Sequence, residues 1–344
     1  MIKVLVVDDS AVVRQILSQE LNKAGDIEVV ATASDPFIAR DKILKYNPNV
    51  MTLDVEMPRM DGLTFLRKIM QHHPLPTIIV SSLTPKGSTM AIEALDAGAV
   101  DVIAKPGESY TVNDVSTVLI DQIRAASKIN FKKVRRIRGE ISSIPPQRLS
   151  LTKTTNKIIA IGASTGGTVA IEHILLQLPK TAPGTIIVQH MPEKFTRSFA
   201  ERLNELCEVD VKEAVQGDPI VPGKVLIAPG NFHMVVKRIG AQYFVEIKDG
   251  PQVFHQRPSV EVLFNSVAQY VGANAVGIIL SGMGVDGASG LLNIRQAGAP
   301  TIAQDEQTSV VWGMPGEAVK IGAAETVLPL SSIAQEAMRL VAQP

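Results

Sequence analysis

The sequence VLVVDD at residues 4–9 joins four apolar residues to two aspartates. A short unbroken run of Val and Leu is typical of a strand that is buried on both faces of a parallel sheet. Similar runs recur through the first half of the chain. We therefore predict buried strands at residues 4–7, 27–31, 50–53, 77–80 and 100–104.

The segments between these runs carry apolar residues at helical spacing. We predict helices at residues 11–24, 36–45, 62–70, 88–97 and 112–126. Strands that alternate with helices in this way form a doubly wound parallel α/β sheet.

A change of composition follows the last of these helices. Residues 122–139 contain no acidic residue but many Lys and Arg, and Pro and Ser are frequent in residues 142–146. This composition is typical of a linker. We predict a first domain at residues 1–125, a linker at 126–154 and a second domain at 155–344. The basic run could be a solvated tether, or it could contact an acidic partner or the other domain.

The second half of the chain also has an α/β pattern. We predict strands at residues 157–162, 185–189, 224–228, 275–280 and 300–303, and helices at 168–178, 195–206, 259–270 and 287–296. Residues 233–236 and 243–248 alternate in polarity around a glycine, which predicts an inserted antiparallel hairpin. The whole chain is thus predicted to contain two doubly wound parallel-sheet domains.

The composition narrows the class of protein. Hydrophobic residues make up 45% and charged residues 20% of 344 residues, which is typical of globular domains. Lys and Arg balance Asp and Glu at 34 each, so charge does not indicate nucleic acid as a partner. Cys207 is the single cysteine, which excludes an internal disulfide. With no signal peptide or apolar span evident, we expect a cytoplasmic protein without membrane insertion.

Charged and polar residues follow the strands of the first domain. Asp8 and Asp9 end the first strand, Asp54 the third, Ser81 the fourth and Lys105 the fifth. In a parallel sheet these ends share one edge, where doubly wound folds bind ligands. Three carboxylates need a cation there, and oxygen ligands favour Mg²⁺. A carboxylate beside Mg²⁺ and a lysine ammonium can attack a phosphoryl group.

These positions resemble the receiver domain of two-component response regulators. The resemblance is carried by Asp8-Asp9, by Asp54 with Met57-Pro58 and Asp61-Gly62, and by Lys105-Pro106. It implies a flavodoxin-like fold in which Asp54 accepts the phosphoryl group and binds Mg²⁺ together with Asp8 and Asp9. It also implies that Lys105 contacts the phosphoryl group and that Ser81 is the switch residue, with Ser82 as the alternative.

A glycine-rich turn follows the first strand of the second domain. Residues 162–167 read GASTGG, which satisfies the pattern G-x-S-x-G and predicts an accessible Ser164 hydroxyl on a strand-to-helix turn. A serine nucleophile needs a base and an orienting acid. His190 and Asp286 also follow predicted strands, so we expect them on the same edge. The order Ser, His, Asp differs from the order in α/β-hydrolases.

Other interpretations of this half remain open on the residues alone. GASTGG also resembles a dinucleotide-binding turn, although Gln189 and His190 stand where an acidic residue would bind ribose. His190, His233 and His255 could form a zinc site, but no carboxylate or cysteine has ligand spacing. Cys207 at a helix end is better explained as a buried thiol than as a nucleophile.

The second half is similar to the catalytic domain of the chemotaxis protein-glutamate methylesterase family, CheB. The similarity is carried by residues 162–167, 189–192, 228–230, 257–259 and 281–287. It implies a Rossmann-like domain without a cofactor, in which Ser164 is the nucleophile, His190 the base and Asp286 the orienting acid. Met283 and Thr165 are then candidate oxyanion donors.

The combined resemblance implies a serine hydrolase that demethylates glutamate methyl esters on methyl-accepting chemotaxis receptors and can deamidate glutamines. The phosphodonor would be the histidine kinase of the chemotaxis system. We hypothesise that the unphosphorylated receiver blocks the Ser164 edge. The alternatives are a response regulator with a nucleotide-sensing output, and one that binds DNA, although no helix-turn-helix or basic stripe is evident.

Overall fold

In the computed structural model, which describes residues 1–57, 60–107, 111–129 and 157–343, VLVVDD spans the end of a strand and the turn that follows it. This strand lies inside a five-stranded parallel sheet of order β2-β1-β3-β4-β5, which is the flavodoxin-like order. The strands are β1 Ile2–Val7, β2 Ile27–Ala33, β3 Val50–Leu53, β4 Thr77–Ser81 and β5 Asp101–Ala104. The helices are α1 Ala11–Asn22, α2 Pro36–Tyr46, α3 Gly62–His72, α4 Pro85–Ala97 and α5 Val112–Ala126.

Local signals explain where several of these helices begin. The Ser10 hydroxyl caps α1 by accepting from the Val13 N–H at 3.4 Å. Helix α4 begins three residues before its predicted start, because Thr84 caps it and Pro85 occupies the first helical position. Proline is favoured there because it has no N–H to leave unpaired and its φ is already helical.

The second half contains a seven-stranded parallel sheet of order β14-β13-β12-β6-β7-β9-β8. Its strands are β6 Ile158–Ala163, β7 Gly184–Gln189, β8 Asp210–Glu213, β9 Lys224–Ile227, β12 Ala275–Ile279, β13 Thr301–Gln304 and β14 Thr326–Leu328. The helices are α6 Gly167–Leu175, α7 Phe195–Leu206, α8 Val260–Tyr270, α9 Ala288–Gln296, α10 Met314–Lys320 and α11 Leu330–Ala342. The predicted hairpin is confirmed as the antiparallel pair β10 His233–Ile239 and β11 Gln242–Lys248.

Four elements of this half are absent from the sequence prediction. Strands β8 and β14 are short edge strands that are only partly buried, so they lack the continuous apolar run of a central strand. Helix α10 has only seven residues and begins at Met314 and Pro315. Helix α11 does carry a helical period, since its buried residues are Leu330, Ile333, Ala334, Ala337, Met338 and Val341. That period was sufficient to predict it.

The chain separates into two units, Met1–Phe131 and Lys132–Pro344. Each sheet has its own buried apolar cluster, with Val4 and Leu119 in the first, and Leu226 and Phe264 in the second, all 0% exposed. Most of the predicted linker, from residue 130 on, lies outside the described residues. Within the described residues, no helix has the length and apolar character needed to span a membrane.

Both sheets have a point at which the chain changes direction across the sheet. Strand β1 lies between β2 and β3, and β6 lies between β7 and β12. Doubly wound folds bind ligands at the carboxyl ends of the strands next to such a point. The predicted site residues follow these strands.

Candidate functional site

The receiver carboxylates meet at the carboxyl ends of β1 and β3. Asp8 and Asp54 are each 1% exposed, whereas Asp9 is exposed. One oxygen from each of the three lies within 4.8 Å of the others. The Lys105 ammonium after β5 lies 2.9 Å from Asp8 Oδ2 and 2.7 Å from Asp54 Oδ2. The structure therefore brings together the three carboxylates and the lysine that the sequence placed at this edge.

The electrostatics of this cluster fit a divalent cation. Burial raises the pKa of Asp54 to about 6, although Lys105 acts in the opposite direction. Burial would lower the pKa of Lys105, but the two carboxylates outweigh it and raise that pKa. One ammonium against three carboxylates leaves two negative charges on oxygen ligands, which is the donor set that Mg²⁺ prefers.

The two candidate switch serines lie in different surroundings. Ser81 is 0% exposed at the end of β4, and its hydroxyl donates to the Gly87 carbonyl at 3.3 Å. The Ser82 hydroxyl instead donates to the Glu56 carboxylate and lies 3.1 Å from the Thr84 hydroxyl. Ser81 thus has the weaker hydrogen bond and the position on the strand itself.

Ser164 lies on the turn between β6 and α6. The turn needs Gly166, whose φ is +78° and whose added Cβ would lie 2.5 Å from Val310 Cβ. The Ser164 N–H donates to the Ser281 carbonyl at 3.0 Å, which joins this turn to the loop after β12. Ser164 retains only 9% of its accessible surface, less than a turn of this kind predicts.

His190 and Asp286 are in direct contact. His190 follows β7, and its N–H donates to the Ala163 carbonyl at 3.1 Å, so its main chain lies beside that of Ser164. Its Nε2 lies 2.7 Å from Asp286 Oδ2. His190 is 8% exposed and Asp286 is 2% exposed. The three residues of the predicted triad are thus gathered at the ends of β6, β7 and β12.

Four donors surround the Asp286 carboxylate. Besides His190, it accepts from the Ser259 hydroxyl at 2.8 Å, the Val260 N–H at 2.8 Å and the Glu261 N–H at 2.9 Å. Burial would raise its pKa, but these hydrogen bonds and the His190 charge outweigh burial and lower it. Asp286 is therefore an anchored carboxylate at the start of α8, where the N–H groups favour negative charge.

The hydrogen bonds of Asp286 decide the tautomer of His190. An ionised carboxylate can only accept, so His190 Nε2 must donate to it. In the neutral ring, Nδ1 then carries the lone pair. This nitrogen is buried and has no hydrogen-bond partner among the described residues. A buried acceptor without a donor at this position is suited to take a proton from a hydroxyl.

Gln189 is a residue whose role sequence reasoning missed. It is 1% exposed, and its Nε2 donates to the Ser164 carbonyl at 3.0 Å and to the His190 carbonyl at 3.1 Å. One side chain thus ties the main chain of the serine to that of the histidine. The sequence analysis considered Gln189 only as a poor ligand for ribose. Its position as a polar residue at the end of a buried strand could have indicated a structural role at the site.

The loop after β12 approaches Ser164 closely. A Cβ on Gly282 would lie 2.8 Å from Ser164 Cβ, so only glycine permits this approach. The next N–H, that of Met283, donates to no acceptor among the described residues. Thr165 is 1% exposed, and its carbonyl accepts from the Ser281 hydroxyl at 2.8 Å. The Met283 N–H therefore remains available to an oxyanion.

The geometry opposes the zinc-site and cysteine-nucleophile interpretations of this half. His233 uses both ring nitrogens, since Nδ1 accepts from the Ser259 N–H at 3.2 Å and Nε2 lies 2.9 Å from the Pro251 carbonyl. Over the described ranges, Asp8, Asp9 and Asp54 form the one group of acidic, His or Cys side chains spaced for a metal ion. Burial raises the pKa of the Cys207 thiol to about 12, which suppresses its nucleophilic form.

Comparisons with known proteins show which families the two halves of the chain match. The family model for CheB methylesterase matches residues 159–337, and the model for the response regulator receiver domain matches residues 4–114. A protein-glutamate methylesterase/protein-glutamine glutaminase from Syntrophus aciditrophicus is 60% identical, covering 99% of each chain. One from Anaeromyxobacter dehalogenans is 55% identical, covering 99% of this chain and 96% of the relative.

A solved structure agrees with the second half. The crystal structure of the Thermotoga maritima CheB methylesterase catalytic domain is 38% identical and aligns with a TM-score of 0.53, covering 54% of this chain and 98% of that domain. The Ser164 edge and the receiver carboxylates thus occur in one chain that matches both families in order. This chain belongs to the CheB methylesterase family, with a response regulator receiver domain in front of the methylesterase domain.

Proposed function

We propose that this chain is a phosphorylation-activated serine hydrolase that cleaves glutamate methyl esters on methyl-accepting chemotaxis receptors. The observation that carries the proposal is the 2.7 Å contact between His190 and Asp286, which leaves His190 Nδ1 as a buried acceptor without a hydrogen-bond partner among the described residues. The names of the full-length relatives support the substrate.

The proposed reaction is acyl transfer in two steps. His190 Nδ1 takes the Ser164 proton as the hydroxyl oxygen attacks the ester carbonyl, and the proton then passes to the departing methoxide, which leaves as methanol. Water, deprotonated by the same nitrogen, then attacks the acyl-enzyme; the bond from the acyl carbon to the Ser164 oxygen breaks, His190 returns its proton to that oxygen, and the glutamate side chain leaves as the free acid, which ionises in water. Asp286 holds the ring and stabilises its charged form in both steps.

The Met283 N–H is the proposed oxyanion donor, with Thr165 as the second candidate. A donor that is already in place when charge develops on the carbonyl oxygen lowers the barrier without reorganisation. Single donors of this kind are typically worth about 3 kcal/mol.

A side-chain amide presents the same carbonyl to Ser164, with ammonia as the leaving group in place of methanol. We therefore propose glutamine deamidation as a second activity of this site. The names of the relatives, which include protein-glutamine glutaminase, favour it.

The receiver is the proposed control element. Asp54 would accept the phosphoryl group from the histidine kinase of the chemotaxis system, and Asp8, Asp9 and Asp54 would hold Mg²⁺. The cation would neutralise the oxygens of the transferred group. Lys105, already 2.7 Å from Asp54, would contact the same oxygens, and Ser81 would respond to the group as the switch residue.

Methanol release from methylated receptor membranes tests both halves of the proposal. Wild type, Ser164→Ala and Asp54→Asn would each be assayed with and without Mg²⁺ and a small-molecule phosphodonor. We expect Ser164→Ala to release no enzyme-dependent methanol and Asp54→Asn to lose only the stimulation. Equal release by wild type and Ser164→Ala would contradict the hydrolase, and stimulation of Asp54→Asn would contradict the phosphoacceptor.

A further inference from the structure

We propose that a groove beside the Met283 loop binds the receptor helix on one side of the target glutamate, with Trp312 as its main contact. The inference rests on the proposed methylesterase function and adds to it a binding surface for the substrate. The groove is an open depression of about 560 Å³, and its lining includes Gly284, Trp312, Gly313, Gly316, Glu317 and Lys320. We call it the Trp312 groove.

The Trp312 groove is continuous with the reaction site. The Gly282 carbonyl accepts from the Gly313 N–H at 3.0 Å and the Met314 N–H at 2.8 Å, so the start of α10 is bonded to the loop that carries Met283. Gly284, one residue after Met283, lines the groove itself. The Met283 loop therefore borders both the reaction site and this groove, so a substrate bound at Ser164 has the groove directly beside it.

The indole of Trp312 is held in place while part of it faces solvent. Its Nε1 donates to the Gln304 carbonyl at 3.3 Å, and a Cβ on Gly316 would lie 3.1 Å from the ring. The residue nevertheless remains 36% exposed. A rigid aromatic side chain with an accessible face loses little entropy on binding, which is the usual property of an energetically dominant contact.

The other walls of the Trp312 groove indicate the chemistry of its occupant. Three of the lining residues are glycines, which leave the backbone open to close approach. Glu317 and Lys320 pair with each other at 3.1 Å, so the groove presents no net charge. These features suit the small and apolar side chains on one face of a helix that lies against the groove.

The groove predicts different effects on large and small substrates. Full-length wild type, Trp312→Ala and Trp312→Phe would be assayed on methylated receptor membranes and on a blocked glutamate γ-methyl ester of one residue. Leu206→Ala, at the exposed end of α7, is the matched control for loss of a surface hydrophobic residue. We expect Trp312→Ala to lower kcat/KM for receptors about tenfold, chiefly through KM, with Trp312→Phe intermediate.

The small ester distinguishes a role of Trp312 in binding the receptor from a role in supporting the Met283 loop. Unchanged hydrolysis of this ester by Trp312→Ala supports the groove, whereas an equal loss on both substrates would show that Trp312 only supports the Met283 loop. Unchanged receptor hydrolysis would also overturn the proposal. If wild type hydrolysed neither substrate, the proposed function itself would fail.

Trp312 also provides a direct measurement, because it is the chain's only tryptophan. In full-length Ser164→Ala, a helical peptide with one glutamate γ-methyl ester flanked by alanines would be titrated while emission is recorded. We expect a saturable change in tryptophan emission that follows the anisotropy of a labelled copy of the peptide. Binding without an emission change, or no binding at concentrations that saturate receptor turnover, would overturn the proposal.

Discussion

Asp54 and Asp286 are buried carboxylates at equivalent edges of two parallel sheets, yet their pKa values shift in opposite directions. Asp54 is 1% exposed and has a pKa raised to about 6. Asp286 is 2% exposed and has a lowered pKa. Burial raises both values, so the difference comes from their partners.

The partners differ in number and in charge. Asp54 accepts from the Glu56 N–H at 3.0 Å and from Lys105 at 2.7 Å, while the Asp8 carboxylate lies beside it. Asp286 accepts from four donors, one of which is the His190 ring. An incompletely neutralised carboxylate is ready for a cation and a phosphoryl group, whereas a fully hydrogen-bonded one can orient a histidine.

The strongest test of this comparison is Asp286→Asn. The amide would donate to His190 Nε2, which would move the ring proton to Nδ1 and remove the base. We expect kcat for methanol release to fall about 10⁴-fold, as for loss of an orienting acid elsewhere. Asp54→Asn, an identical change at the other edge, should leave unphosphorylated activity intact. A similar loss in both variants would contradict the separation of roles.

The next test concerns the hydrogen bonds that hold the catalytic edge. Gln189→Met keeps the side-chain volume but removes both donors to the Ser164 and His190 carbonyls. We expect kcat to fall by up to about 100-fold from misplacement, with KM little changed. Gln177→Met, on the half-exposed end after α6, is the control. A rise in KM at constant kcat would contradict a positioning role.

Thermal unfolding with and without Mg²⁺ tests the receiver half of the comparison. A cation that binds the folded carboxylates raises the free energy of unfolding, by about 2.7 kcal/mol at 100 times its Kd. We expect Mg²⁺ to raise the Tm of the receiver transition in wild type and in Asp286→Asn, but not in Asp54→Asn. Equal shifts in all three proteins would place the cation elsewhere.

A smaller effect is expected when Asp286 loses one of its four donors. Ser259→Ala removes the hydroxyl at 2.8 Å but leaves the two N–H groups and His190. We expect a loss of about 1–2 kcal/mol in the free energy of unfolding of the methylesterase domain, measured by urea denaturation. Ser198→Ala, at a half-buried position of α7, serves as the comparison. Equal stability of the two variants would show that the hydroxyl is dispensable.

The smallest expected effect concerns the free energy of unfolding at acidic pH. Because the folded-state pKa of Asp286 lies below its unfolded value, its ionised form stabilises the fold above the unfolded pKa, and this contribution is lost as pH falls through the folded pKa. The difference in free energy of unfolding between wild type and Asp286→Asn should stay constant down to about pH 5 and shrink below about pH 4. A difference in free energy of unfolding that grows as the pH falls would contradict a lowered pKa for Asp286 in the folded state.

The sequence was most informative where strands are buried and where chemistry follows a strand. Runs such as residues 4–7 and 158–161 have to be central strands, because few other structures bury so many adjacent β-branched residues. It was least informative at the sheet edges, where β8 and β14 are only partly buried and lack a continuous apolar run. The sequence does contain the Thr84 cap that precedes α4 and the helical period of α11.

The sequence by itself determined the fold class, the order of the two halves and the residues gathered at each edge, because these follow from apolar patterning and from the shared direction of parallel strands. Only the tertiary structure decided that Asp286 has four donors, that His190 presents Nδ1, and that Gln189 joins two strands. It also decided that Trp312 lies in a groove beside Gly284. These features depend on contacts between residues far apart in the chain, whose distances no local pattern encodes.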